Sequence, residues 1–270
     1  MSDADVLAAP LPATLTSLDL RHCERIAFLS DVHLRVDDPA TFRAWADHLQ
    51  SLDADVLFIL GDLFDVWLGD DILQHPPAAF ERECLARLRD LSQSLPIYWL
   101  VGNRDFLFGP TACQAAGMTA ISDPCVVHVD NKTWLLSHGD ALCLSDTAYQ
   151  AYRQTIRSTQ SLVQLNASSL PDRMQLAKTL KAQSLANKSQ MEHWADVDEV
   201  ACVQWLKASG ASVLIHGHTH MPQDHRMQQT FERIVLSDWE AMATPPRLQS
   251  LVWQRGSGFT RHALPAPVNA

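Results

Sequence analysis

Five short apolar runs in this chain each stop at a small polar motif, and that repetition limits the possible folds more than any other feature. Arg25–Ser30 (RIAFLS) leads into Ser30-Asp31-Val32-His33. Asp55–Leu60 (DVLFIL) leads into Gly61-Asp62-Leu63-Phe64-Asp65, and Pro96–Val101 (PIYWLV) into Gly102-Asn103-Arg104-Asp105. Thr133–Ser137 (TWLLS) is followed by His138-Gly139-Asp140, and Ser212–His216 (SVLIH) merges into His216-Gly217-His218-Thr219-His220. Runs this short and this apolar read as buried strands. Between the first three lie two segments with helical spacing. Pro39–Leu52 puts Phe42, Trp45, Ala46 and Leu49 on one face, and Ala78–Leu91 follows the same rule. The tail adds three strand candidates, Phe231–Ser237, Leu248–Gln254 and Gly258–Leu264. Strands alternating with helices indicate an α/β architecture. In open α/β sheets ligands gather at the carboxyl ends of strands, so side chains that follow five strands can converge.

Composition narrows the function. With 270 residues the chain has room for one large domain, or one domain with an insert. Acidic residues outnumber basic ones, 31 to 21, for a formal net charge of −10, the wrong sign for a protein that wraps nucleic acid. The cysteines at 23, 84, 113, 125, 143 and 202 show no two-residue pairing, so reduced, buried thiols are expected. Residues 1–22 read as a loose leader, and MSDADVLAAPLPATL lacks the basic residue a secretory signal needs. No apolar run approaches the ~20 residues that span a bilayer. A soluble protein, or one peripheral to a membrane, is expected.

One stretch differs from the rest. Thr147–Met191 is helical, interrupted near Ser168–Pro171. It carries Arg153, Arg157, Arg173, Lys178, Lys181 and Lys188 against the single acid Asp172. A solvated helical pair would account for it. So would an inserted cap whose basic face meets an anionic ligand or surface.

The polar motifs offer carboxylates, an amide oxygen and imidazoles, with no thiolate, a donor set suited to manganese, iron, cobalt or zinc. Asp31, His33, Asp62, Asn103, His138, His218 and His220 are too many for one tetrahedral ion and suffice for two ions with open positions. The two oxygens of Asp62 can bridge such a pair. The Asp31-x-His33 and His218-x-His220 spacings put each pair on one side of an extended segment. His22, His48, His75, His128, His193, His225 and His262 follow no such pattern and read as ordinary core or surface residues.

In order, DxH, GDxxD, GNxD, HGD and GHxH over about residues 25–220 resemble the calcineurin-like metallophosphoesterase superfamily. That resemblance implies two stacked mixed β-sheets flanked by helices, with a dinuclear site at the strand ends. Asp31, His33 and His220 would hold one ion, Asn103, His138 and His218 the other, and Asp62 would bridge. His216 falls outside the ligand motif and is expected to be structural. The longer strings FLSDVHL, ILGDLFDVWLGDD, GNRDFLFG, SHGDALCLSDTAYQAYR and LIHGHTH are similar to the UDP-2,3-diacylglucosamine pyrophosphohydrolases of lipid A biosynthesis. This closer resemblance implies a domain over 23–270 with a helical cap insertion at about 147–191. It also implies hydrolysis of UDP-2,3-diacylglucosamine to UMP and 2,3-diacylglucosamine 1-phosphate, with two divalent ions, manganese foremost. Asp62, Asn103, Arg104 and His218 would be catalytic. Asn103, Arg104, Asp146, Ser184, Asn187, Lys188 and His218 would contact substrate. The protein would sit peripherally on the cytoplasmic face of the inner membrane, with no nucleic acid and no obligate protein partner.

Arg104 carries chemical information of its own. Many metallophosphoesterases place a histidine there, which can protonate an alkoxide leaving group. Arginine keeps its proton but can grip a phosphate through two parallel hydrogen bonds. That suits a leaving group that is itself a phosphate, whose second pKa of ~6 makes protonation unnecessary. The step expected is in-line attack by a bridging hydroxide on the uridine-side phosphorus. The plain alternative is an ion pair of Arg104 with Asp105 or Asp140. A phosphoesterase of other specificity, and a metal-binding scaffold without chemistry, are the competing functions.

Overall fold

In the computed structural model, which describes residues 10–12, 14–190 and 195–266 (183–190 by backbone alone), the apolar runs become the interior of two sheets. Strands β2 (Arg25–Leu29), β3 (Val56–Leu60) and β4 (Ile97–Leu100) are adjacent and parallel. Along β3 the side chains alternate. Leu57 and Ile59 face helices α1 (Pro39–Ser51), α2 (Ala79–Leu91) and α3 (Pro110–Ala116), whereas Val56, Phe58 and Leu60 face the second sheet. Both faces are covered, which explains a run with no polar interruption. Strand β5 (Met118–Ala120) closes one edge of this sheet, and β11 (Gln249–Gln254) and β12 (Gly258–Ala263) extend the other, in the order β12-β11-β2-β3-β4-β5.

The second sheet contains β1 (Thr16–Asp19), β6 (Cys125–Val129), β7 (Lys132–Ser137), β8 (Val213–His216), β9 (Asp224–Met227) and β10 (Phe231–Val235), ordered β1-β6-β7-β8-β10-β9. Both sheets mix parallel and antiparallel pairs. Phe28 and Phe58 stack at 5.4 Å between the sheets, with Trp134 edge-on to Phe28 at 6.1 Å. Helix α7 (Glu199–Ser209) covers the outer face of the second sheet with Cys202, Trp205 and Leu206. Asp198 caps it through the Ala201 N–H at 2.8 Å, and Gly210 ends it at φ +69°. The two-sheet α/β expectation is met, and all six cysteines are buried and free.

Thr16–Asp19 departs from the loose leader expected there. It is an edge strand, parallel to β6, and the Thr16 and Ser122 hydroxyls each accept the other residue's backbone N–H. Four residues of mixed polarity carry no periodicity of their own, so the strand owes its form to β6 and Ser122. Strands β5, β6 and β9 also lie outside the sequence reading.

Between β7 and β8 stand α4 (Thr147–Ile156), α5 (Thr159–Ala167) and α6 (Leu170–Gln190). The break expected near Ser168–Pro171 is found at residues 168–169, between α5 and α6. A second break occurs at Ser158, whose hydroxyl accepts the Ser161 N–H and starts α5. No helix among the described residues is long and apolar enough to cross a membrane.

Candidate active site

Because β2, β3 and β4 are neighbours in one sheet and β7 and β8 in the other, the loops that follow them meet at one end of the stacked sheets. Backbone hydrogen bonds staple these loops together: Asp31 N–H to the Gly61 carbonyl at 3.1 Å, His33 N–H to Asp62 at 3.0 Å, and Gly217 N–H to His138 at 3.0 Å. The extended alternation expected for Asp31-x-His33 and His218-x-His220 is not what aims these side chains. Asp31, His33 and Asp62 all take φ +52°, His218 +66° and His220 +55°. Left-handed backbone is uncommon outside glycine and costs of order 1–3 kcal/mol where it is held. Five such residues at one end of the sheets mark the place where the structure accepts strain. The glycines of the motifs make room: a Cβ on Gly102 would overlap Asp62 Oδ1, and one on Gly217 would overlap Asp31 Oδ2.

All seven ligand candidates come together here. Asp31 Oδ1 lies 3.4 Å from His220 Nε2 and 3.9 Å from His33 Nε2, and those two imidazole nitrogens are 3.2 Å apart. Asn103 Oδ1 lies 2.9 Å from His138 Nε2 and 2.8 Å from His218 Nδ1. Between these groups sits Asp62, with Oδ1 3.8 Å from His138 Nε2 and Oδ2 4.0 Å from His33 Nδ1.

These atoms fit divalent cations. Asp31 Oδ1 and His33 Nδ1 are buried with no hydrogen-bond partner among the described residues, an arrangement that is costly unless something else satisfies them. Burial raises the Asp62 carboxyl well above the usual range, with Asp105 and Asp31 adding to it against the pull of His138. Burial disfavours charge on His138, yet Asp62, Asp31 and Asp140 outweigh it and raise that imidazole. A cation would oppose both shifts, because it binds the deprotonated donors. Supporting groups fix the donors. His138 Nδ1 donates to the Leu60 carbonyl at 2.9 Å, which turns Nε2 inward, and His220 Nδ1 faces Asp238 Oδ2 at 3.6 Å. Asp31 Oδ2 accepts the Ser30 hydroxyl at 2.7 Å and the His218 N–H at 2.9 Å. His216 stays out of the cluster: it is fully buried, held at about 4 by that burial, and its Nδ1 lies 2.9 Å from the Gly217 carbonyl.

Arg104 reaches the same cleft. Its backbone N–H donates to Asp62 Oδ1 at 2.8 Å, and its Nη1 lies 3.2 Å from Asp65 Oδ1. Neither partner expected for a plain ion pair is used. Asp105 is fully buried and accepts the Gly102 and Leu63 N–H groups at 2.8 and 2.9 Å, joining two strand ends. Asp140 is fully buried and accepts the Tyr149 hydroxyl at 2.5 Å and Arg153 and Arg157 at 2.9 Å each. Burial would raise the Asp140 carboxyl, but Arg157 and Arg153 outweigh it and hold it below the usual range.

This pairing accounts for most of the basic surplus of the helical segment. Arg153 and Arg157 neutralise Asp140, Arg173 pairs with Asp71, and Lys181 Nζ lies 2.6 Å from Asp65 Oδ2. Lys178 is exposed. Asp146 caps α4 by accepting the Tyr149 N–H at 2.9 Å. Ser184, Asn187 and Lys188 lie outside the residues whose side chains are described.

Asp62, Asn103, Arg104 and His218 form the polar floor of a cavity of about 420 Å³, and Leu165, Leu176 and Leu180 contribute to its apolar wall. Tyr149 lies over His218 with ring centroids 5.8 Å apart, and Asp146 also lines the space. The apolar positions of the segment divide: Leu162 packs on the core, whereas Val163 is 63% and Met174 42% exposed. Sequence reasoning missed Asp238 behind His220, Tyr149 over His218, and any role for Asp65. Asp238 had a legible position, directly after strand FERIVLS, but no recognisable motif.

Comparison with known proteins adds an independent line. Residues 24–222 match the calcineurin-like phosphoesterase family. The UDP-2,3-diacylglucosamine hydrolase of Chromohalobacter salexigens is 37% identical over 242 residues, 84% of this chain and 97% of the relative. The protein of the same name from Pseudomonas fluorescens strain SBW25 is 39% identical, over 80% of this chain and 88% of its own. That of Cellvibrio japonicus is 41% identical, over 78% and 90%.

Proposed function

The chain belongs to the calcineurin-like phosphoesterase family, and from that membership we propose that it is a metal-dependent UDP-2,3-diacylglucosamine hydrolase, releasing UMP and 2,3-diacylglucosamine 1-phosphate in lipid A biosynthesis. The single observation that carries this reading is the cavity itself. It joins a cation-binding floor, an arginine that cannot give up its proton, and an apolar wall. A diacylated sugar nucleotide needs all three.

In this reading Asp31, His33 and His220 hold one divalent ion and Asn103, His138 and His218 a second, with Asp62 between them and manganese as the native metal. Bound there, the ions offset phosphate charge and make water acidic enough to act near neutral pH. The chain's own residues do the rest. Arg104 grips the diphosphate with its guanidinium fork and so orients it over Asp62 and Asn103. No proton donor to the leaving phosphate is needed, because its second pKa is ~6. Asp146, Ser184, Asn187 and Lys188 complete the substrate contacts. Leu165, Leu176 and Leu180 receive the acyl chains and exclude water. With a lipid substrate, the protein works peripherally on the cytoplasmic face of the inner membrane.

The test is release of UMP from UDP-2,3-diacylglucosamine by chelator-stripped protein before and after manganese is restored, beside a UDP-sugar without acyl chains. Activity should return with the metal and should strongly favour the diacylated substrate. Equal rates on both would overturn the assignment. Arg104→Lys probes the grip. A point charge cannot replace the fork, so kcat/KM should fall at least about a hundredfold while two ions remain bound. Near-parental turnover in the lysine variant would show that Arg104 serves only as a counter-ion to Asp65.

A further inference from the structure

The second acid of the Gly61-Asp62-Leu63-Phe64-Asp65 motif has no part in the reading above. Asp65 is 14% exposed and lines the cavity. Its backbone is fixed: Phe64 bridges to Leu34, the Asp65 N–H donates to the Leu34 carbonyl at 3.2 Å, and the Trp67 N–H donates to the Arg104 carbonyl at 3.3 Å. Its carboxylate is shared between two cations from opposite sides of the cavity. Oδ1 takes Arg104 Nη1 from the strand-end floor at 3.2 Å, and Oδ2 takes Lys181 Nζ from α6 at 2.6 Å.

Arg104 and Lys181 would repel each other if brought together without a counter-ion. One carboxylate between them removes that obstacle and leaves one net positive charge at the cavity wall. Asp65 engages only Nη1 of a guanidinium that has five N–H donors, so the fork keeps donors for an incoming phosphate. Its anchored backbone keeps the acid in place while both cations turn toward a ligand. We propose that Asp65 is a positioning residue that aims Arg104 and holds Lys181 of the helical segment beside it, so that both cations converge on the substrate diphosphate. Seating of α6 over the cavity is thereby coupled to the group that grips phosphate. This inference rests on the hydrolase reading.

The test uses metal-loaded, full-length protein with Asp65→Asn, Asp65→Glu, Lys181→Met and the Asp65→Asn/Lys181→Met pair. Steady-state hydrolysis of UDP-2,3-diacylglucosamine is measured alongside metal content. Asp65→Asn should raise KM about tenfold or more with a smaller change in kcat, and Lys181→Met should cost clearly less in the Asp65→Asn background than in the parent. Asp65→Glu should recover most of the loss, and every variant should keep its metal. A fall in KM on Asp65→Asn would overturn the proposal, since Asp65 would then compete with substrate for the two cations. Additive losses would overturn it as well, because the two residues would not act together. Should Asp65→Asn fail to fold, the half-exposed Lys181→Met and the Asp65→Glu variant decide alone: an unchanged KM in Lys181→Met, or no activity in a folded, metal-loaded Asp65→Glu, also overturns it. A parent that cleaves only non-acylated substrates would instead defeat the hydrolase reading.

Discussion

Asp62→Ala should reduce kcat/KM for UDP-2,3-diacylglucosamine by about a thousandfold or more, since even a group standing behind a metal ligand costs roughly ten- to a hundredfold when removed. Asp62 is 2% exposed and lies between the two donor groups, within 4.0 Å of both His33 and His138. Asp105 cannot take over both contacts, because its two oxygens already accept two backbone amides. Asp238→Ala provides the scale, since its carboxylate stands behind His220 and its loss should stay within the smaller range. Elemental analysis should find fewer than two ions per chain in Asp62→Ala. Two ions bound as tightly as in the parent would contradict the bridging role.

Replacing residues 159–190 by a short linker should abolish hydrolysis of the diacylated substrate while metal binding and a weak hydrolysis of a small chromogenic phosphodiester persist. The deletion removes the wall formed by Leu165, Leu176 and Leu180. At about 0.8 kcal/mol per buried methylene, losing the burial of only four would lower kcat/KM more than a hundredfold. The boundaries matter. Helix α4 must stay, because Arg153 and Arg157 neutralise Asp140, whose carboxylate is fully buried. Excising the whole of 147–191 would leave that charge unpartnered and destabilise the fold by about 3–5 kcal/mol. An undiminished rate on the lipid substrate in the shorter deletion would remove the acyl-binding role from α5 and α6.

Much of the site can be read from the sequence because its residues follow strands that announce themselves. RIAFL, VLFIL and IYWL are apolar on both faces, and position alone says that Asp31, Asp62 and Asn103 end on one side of a sheet. The orientation of those side chains was not legible. Extended alternation suggests that Asp31 and His33 share a side, whereas the turn is made by left-handed residues, a conformation that aspartate and histidine adopt more readily than most side chains but that a strand pattern does not place. The basic surplus between Thr147 and Met191 was legible as a count and not as a set of partners. Of its counter-ions, Asp71 and Asp65 lie more than a hundred residues away in the sequence and Asp140 is fully buried, and none carries a mark in the sequence. Asp238 shows the same limit. Its pairing with His220 exists only once β10 lies beside β8. Thr16–Asp19 is too short and too polar to be seen as a strand without β6.

The left-handed turns at Asp31, His33, Asp62, His218 and His220 also bear on whether this chemistry can be transplanted. Grafting the side chains onto a scaffold with ordinary strand ends would place the right functional groups on bonds pointing the wrong way. The portable unit is the loop, with its backbone kink and the glycine that clears space for the neighbouring carboxylate. A designer borrowing this site would have to copy five short stretches of main chain and the stapling between them, and only then choose the side chains.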